Sequence, residues 1–307
     1  MEGVLLLHKP TGMTSHDCVF KVRKLLREKR VGHTGTLDPD VTGVLPICIG
    51  RATKIAQFLT SETKTYEGEV TLGFSTTTED ASGELVERKD VSRVITRAEV
   101  EEVLRALTGT IEQMPPMFSA VKVNGRKLYE YARQGIEVER PIRTITIHEF
   151  TLLSEEEEWS GPTVSLRFRV TCSKGTYVRT LAVMIGEKLG FPAHMSHLVR
   201  TASGHFTLDR CLTFEEIQQQ IESGTMQESL LSIEEALTEF PKLIVGDEQA
   251  EKVKNGAFLR NEQNTAASFF TVFDKSGQCL AIYEPHPKQV GLLKPTKVLV
   301  NNQELKL

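Results

Sequence analysis

Between Thr163 and Cys172 the chain alternates without a break: Val164, Leu166, Phe168, Val170 and Cys172 take every second place, with polar or charged residues between them. A period of two fits a half-buried β-strand and no helix. Ser173-Lys174-Gly175-Thr176 reads as the turn out of that strand. A helix follows to Leu189, with Leu181, Ile185 and Leu189 on its buried stripe and Gly190 as its stop. Tyr177 and Arg179 therefore fall in the first turn of a helix at a strand's end. At such a junction the strand fixes a side chain's origin and the loop leaves it accessible.

Elsewhere the periodicity predicts a mixed α/β chain without internal repeats. Residues 4–7 form a buried strand, and 15–28 form an amphipathic helix with Cys18, Val19, Val22, Leu25 and Leu26 inward. A second helix is expected over 51–59, leading into a strand over 65–74 with Tyr66, Gly68, Val70 and Leu72 on one face. Thr96 to Glu99 is a capping box opening a helix that Gly109 ends. Residues 118–123 suit a strand, Asn124-Gly125 a tight turn and 126–134 a short helix closed by Gly135. Capping boxes at Thr213 to Glu216 and Ser232 to Glu235 mark a pair of acidic connecting helices. After Phe240-Pro241, a short helix over 248–254 and strands over 268–273, 278–283 and near 297–300 suit a compact β-rich domain of about 65 residues.

The 307 residues, 39% hydrophobic and 25% charged, suffice for a substantial core and a second, smaller domain. Five cysteines stand far apart, with no C-x-x-C pair and no zinc-ligand spacing, so neither a disulfide framework nor a structural metal is expected and a reducing cytoplasm fits. The run 4–7 is too short for a signal segment or a membrane span. A net charge of -4 hides an uneven distribution. Lys9 to Lys54 holds nine basic residues against four acids, which would draw a polyanion to one face. Lys122 to Arg143 holds six against three, with Tyr129 and Tyr131 among them, a mixture suited to gripping a backbone and stacking bases.

Arg30 to Leu45 sets one carboxylate, Asp38, in a loop bracketed by Gly32, Gly35 and Gly43, and Pro39 restricts Asp38 to an extended or turn conformation. Asp-Pro-Asp between glycines also makes an ordinary turn, so the loop alone leaves a catalytic and a structural reading open. Phosphate-loop and dinucleotide spacings are missing.

The loop closely resembles the G-H-T-G-x-L-D-P signature of the TruB family of tRNA pseudouridine synthases. The likeness extends in family order through Leu7-His8-Lys9-Pro10, Leu45-Pro46-Ile47-Cys48-Ile49-Gly50-Arg51-Ala52-Thr53-Lys54, Lys64-Thr65-Tyr66, Asp80-Ala81-Ser82-Gly83 and Pro116-Met117-Phe118-Ser119-Ala120. It continues in Gly125 to Gly135, Cys172 to Thr180 and Leu198-Val199-Arg200-Thr201, and the tail loosely resembles a PUA domain. The resemblance implies an α+β pseudouridine synthase fold: a large mixed, mostly antiparallel sheet flanked by helices, plus a small β-rich C-terminal domain. Residues 1–240 would be catalytic, with an RNA-gripping insertion at about 113–145, and 241–307 would be the PUA-like RNA-binding domain.

The implied reaction turns a uridine of the tRNA T-loop, at position 55, into pseudouridine, with no cofactor and no metal. Asp38 would be the catalytic residue, either attacking C1′ or removing a C2′ proton. Arg179 would pair with it, bidentately, keeping it ionised. Tyr66 would stack on the base and help move the C5 proton, Tyr177 and Leu198 would wall the uracil pocket, and His33 would contact the flipped-out nucleotide or fill the gap it leaves. Lys9 and Lys64 complete the expected substrate-binding set. The partner implied is the T-arm of tRNA, met by a cytoplasmic monomer with no membrane attachment and no obligatory protein partner. Two other classes make different predictions. An RNA-binding or tRNA-folding protein would keep its RNA function in Asp38→Asn and show no isomerisation, and a phosphate-handling enzyme would bind nucleotide saturably and depend on a divalent ion.

Overall fold

The structure, a computed structural model, describes residues 1–60, 62–261 and 267–301. It begins with β1 (Gly3–Lys9), α1 (Ser15–Leu26), β2 (Val31–His33) and β3 (Thr42–Ile49). A 3-10 turn, Gly50–Ile55, then runs into α2 (Ala56–Thr60), where one continuous helix was expected. Next come β4 (Lys64–Leu72), the hairpin β5 (Phe74–Thr76) and β6 (Leu85–Arg88), then β7 (Val91–Thr96), α3 (Arg97–Ala106) and β8 (Gly109–Gln113). An excursion carrying β9 (Lys122–Val123), β10 (Arg126–Lys127) and α4 (Leu128–Ala132) returns in β11 (Arg143–Leu152). The strand expected over 118–123 shrinks to β9, and the helix expected over 126–134 to α4. There follow β12 (Glu158–Gly161), β13 (Val164–Cys172), α5 (Val178–Leu189), β14 (Ala193–Ser203) and β15 (Phe206–Thr207). Then α6 (Phe214–Ser223) and α7 (Ile233–Ala236) lead to β16 (Lys242–Ile244), α8 (Asp247–Lys254), β17 (Leu259–Arg260), β18 (Phe270–Phe273), β19 (Cys279–Pro285) and β20 (Leu292–Val298).

The large sheet runs β1-β3-β14-β4-β13-β11-β8, with β2 also on β3 and β15 on β14. Every pairing is antiparallel except β14 with β3, which touch in parallel only at Val199↔Thr42 and Arg200↔Gly43. This is the mixed, mostly antiparallel sheet flanked by helices that the resemblance implies. Sequence pattern explains its two kinds of strand. β13 alternates because α5 and the core cover one face while Arg167 and Arg169 look outward on the other, Arg169 meeting Glu67 at 2.6 Å. β1 instead reads as a continuous apolar run because both its faces are covered. Leu5 and Leu7 join the helix-side core, whereas Val4 and Leu6 join a second cluster behind the sheet.

That second cluster ties in the C-terminal unit. Its five strands, β16-β18-β19-β20-β17, enclose a small core around Val272, Leu280, Tyr283 and Leu293. From the same sheet Phe273, Cys279 and Ile282, with Leu299, pack onto Val44, Cys48, Phe58 and Phe206. Of the span 241–307 expected as one domain, residues 262–266 and 302–307 lie outside the described residues. Among the described residues, no helix is long and apolar enough to cross a membrane.

Candidate active site

Residues 34–41 join β2 to β3, whose first two residues pair in parallel with β14. Three anchors set this loop. Lys9, the last residue of β1 and fully buried, spends its ammonium on the carbonyls of Pro10, Pro39 and Val41, each at 2.8 Å. Ser15 Oγ accepts the Leu37 N–H at 2.8 Å. Arg200, 1% exposed, donates from Nε to Val44 O at 2.7 Å and from Nη2 to Gly35 O at 3.4 Å. Gly43 is indispensable to the crossing: its φ is +110°, and a Cβ there would stand 2.2 Å from the Arg200 carbonyl oxygen. Gly35 also takes a positive φ, but Gly32, expected to share that freedom, does not.

With its backbone fixed, Asp38 projects a carboxylate that is 42% exposed, and Arg179 from the first turn of α5 meets it. Arg179 Nε stands 3.0 Å from Asp38 Oδ2. The contact is single rather than the expected bidentate one, because the other two guanidinium nitrogens are engaged elsewhere. Nη1 donates to Thr78 O at 2.9 Å and lies 3.6 Å from Asp80 Oδ2, and Nη2 donates to Phe118 O at 3.0 Å. Asp80 is itself held by Thr78 Oγ1 at 2.6 Å and by the Ser82 N–H and hydroxyl at 3.0 and 2.6 Å. One cation thus sits among two carboxylates and two carbonyls drawn from three chain segments. Partial burial pushes the Asp38 carboxyl above its ordinary value; Arg179 pulls it down and Asp80 pushes it up. The lowering expected from Arg179 is present, but desolvation outweighs it.

Tyr66 lies on β4 opposite Arg200 of β14, and burial pushes the Tyr66 hydroxyl up while the nearby Arg200 cation pulls it down. Leu198 is buried beside Gly68, where a Cβ would come within 2.9 Å of Leu198 Cδ1. Tyr177, half-buried, immediately precedes α5. His33 ends β2 half-buried, with Nδ1 lacking a hydrogen-bond partner among the described residues and burial lowering its pKa. The structure therefore brings Asp38, Arg179 and Asp80 into contact, with Tyr66 adjoining through Arg200.

Two expected substrate contacts are placed differently. Lys9 has no donor left over for a ligand. Lys64 is 6% exposed, donates to Thr60 O at 3.1 Å and Glu62 O at 2.6 Å, and burial lowers its pKa to about 8. Both cations turn inward because turn carbonyls beneath the site need donors. Tyr131 is also unsuited to stacking an RNA base: it is buried, bonded to Val123 O at 3.0 Å, with Arg126 over its ring. Arg200, Asp80 and Gln113 carry site contacts and had no role read from sequence. Among the described residues no group of three or more His, Cys, Asp or Glu is placed to hold a metal ion.

Comparison with known proteins agrees with this geometry. Residues 23–178 match the family model described as TruB family pseudouridylate synthase (N terminal domain), and 179–238 match the tRNA pseudouridylate synthase B C-terminal domain. A Bacillus cereus protein named tRNA pseudouridine synthase B is 77% identical over 307 residues, covering all of both chains. A Bacillus subtilis protein of the same name is 63% identical over 308 residues and 99% of each. A chain in the crystal structure of a Cbf5-Nop10-Gar1 complex superposes with a TM-score of 0.76 at 26% identity, over 98% of this chain and 86% of that one. The chain belongs to the TruB family of tRNA pseudouridine synthases and is an isomerase.

Proposed function

We propose that this enzyme acts on the uridine at position 55 in the T-loop of tRNA, with Asp38 as its catalytic carboxylate. The C1′–N1 bond breaks, the uracil turns, a C1′–C5 bond forms, and the proton lost from C5 is balanced by one gained at N1. Nothing is oxidised or hydrolysed, so no electron carrier or attacking water enters the balance. The observation that carries this reading is the Asp38–Arg179 contact at 3.0 Å, in which an otherwise anchored loop leaves one carboxylate projecting into solvent. An anion there can attack C1′ or take the C2′ proton. Tyr66 stacks on the uracil, Tyr177 and Leu198 wall its pocket, and His33 faces the nucleotide as it leaves the T-loop stack. Extruding the base costs a few kcal/mol, which contacts elsewhere must offset.

Those contacts are assigned to two basic surfaces. α1 exposes Lys21, Arg23 and Lys24. The excursion leaves the sheet at Gln113 and re-enters at Arg143, which are register partners, and exposes Lys122, Arg126 and Arg133 between them. We assign it the gripping of the T-arm through backbone contacts, residues 1–240 catalysis, and 241–307 a further RNA contact. We propose that it acts as a monomer without an obligatory protein partner.

The test is incubation of the purified protein with an unmodified tRNA transcript, without added metal or nucleotide, followed by chemical mapping of pseudouridine. Conversion at position 55 is expected for the parent. Asp38→Asn and Asp38→Ala should bind the transcript and leave uridine intact; conversion at the parent rate by either rejects the assignment.

A further inference from the structure

Gln113 ends β8 and opens the excursion, yet its side chain serves neither. It is 3% exposed. Its Oε1 accepts the Tyr177 N–H at 2.8 Å and its Nε2 donates to the Tyr177 carbonyl at 3.1 Å, so one amide satisfies both polar groups of a single backbone residue. That residue is where the chain enters α5, whose start has no side-chain cap of its own. Helix starts carry unsatisfied N–H groups and are free to fray or reorient unless another group holds them. Two residues later Arg179 leaves the helix for Asp38, and its Nη2 returns to Phe118 O, on the same excursion and close after Gln113. Farther along, Arg140 donates to Pro115 O at 3.0 Å. The root of the excursion is thus fastened to the head of α5 on both sides of Met114-Pro115-Pro116-Met117.

We infer that Gln113 is a positioning residue for the isomerisation: by holding the Tyr177 backbone it sets the direction in which Arg179 meets Asp38. This rests on Asp38 being the catalytic carboxylate. The amide touches neither substrate nor reacting atoms; it fixes the origin of the side chain that does orient them. Misplacement of a catalytic group by about 1 Å costs on the order of 100-fold in rate.

Gln113→Met keeps the length and burial of the side chain while removing both hydrogen bonds. With enzyme saturating and in excess over tRNA transcript, its single-turnover rate should fall roughly 10- to 100-fold. The dissociation constant for the transcript should change far less than the rate, since Gln113 itself makes no RNA contact. In the Arg179→Lys background the same substitution should slow the reaction by no more than about threefold, because the direction it preserves has already been lost. A parent rate in Gln113→Met, or two losses that multiply, overturns the inference. Should Gln113→Met fail to unfold cooperatively, Gln113→Glu decides. Its carboxylate still accepts the Tyr177 N–H but donates to the carbonyl only when protonated, so its rate relative to the parent should rise as pH falls toward about 5. A ratio independent of pH overturns the inference. Activity in Asp38→Asn, measured alongside, would strike the catalytic reading instead.

Discussion

Burial and Arg179 act on the Asp38 carboxyl in opposite directions: burial raises its pKa and the guanidinium holds that rise back. Removing the cation must therefore move the ionisation to higher pH. Arg179→Ala should shift the acid limb of the single-turnover pH profile upward and slow the neutral-pH reaction on the order of 100-fold, through lost orientation. An unmoved acid limb would mean that Arg179 does not govern the carboxylate. Stability follows the same sign. A folded-state pKa above the unfolded one stabilises the fold below the unfolded pKa, and that contribution is lost as pH rises through the folded pKa. Asp38→Asn, which stays neutral, should thus melt roughly 1–3 °C above the parent at neutral pH. The gap should close below the carboxylate range, as thermal scans at both pH values would reveal. From sequence, the glycines and Pro39 marked Asp38 as a residue that a loop could aim. A lysine gives no sign, in sequence, of whether backbone carbonyls will claim its ammonium, as they do at Lys9 and Lys64.

At the level of elements, the active-site loop depends on two features outside it. Lys9→Met removes donors from three carbonyls and should cost about 3 kcal/mol or more in denaturant unfolding, with Asp38 activity lost in the surviving folded fraction. Gly43→Ala would drive a methyl into the Arg200 backbone at a φ that L-residues rarely adopt. It should destabilise by about 3–5 kcal/mol; a loss under about 1 kcal/mol would show that the β3–β14 crossing is adjustable. Legibility here followed solvent exposure. β13 keeps one wet face, so its alternation survives in sequence. β11 and β14 contain register shifts, between Ile147 and Glu149 and at Met195/His197 and Arg200/Ala202, and each bulge reverses the phase of the pattern. Neither was anticipated, nor was β8, which is short; together these carry Leu198, Arg200 and Gln113.

For the whole molecule, the cluster shared by β1, β3, α2 and the C-terminal sheet makes the two units interdependent. Calorimetric and van't Hoff enthalpies should agree for one transition, and Ile282→Asp, in that shared core, should unfold or aggregate the entire chain rather than its tail alone. Two separate transitions would show that residues 241–307 fold independently. If the basic surfaces grip phosphates as proposed, binding of tRNA should weaken steeply with salt even though the net charge is -4.

The sequence by itself determined the elements that keep one face in water, the helix starts at Thr96, Thr213 and Ser232, and the conformational freedom of the loop around Asp38, because each depends on neighbours a few residues away. Only the tertiary structure decided that Asp80 and Phe118 join the Asp38–Arg179 pair, that Lys9 and Lys64 give donors to backbone carbonyls, and that Gln113 holds the head of α5. Those contacts join distant segments, and local periodicity carries no information about which buried polar group will find which partner.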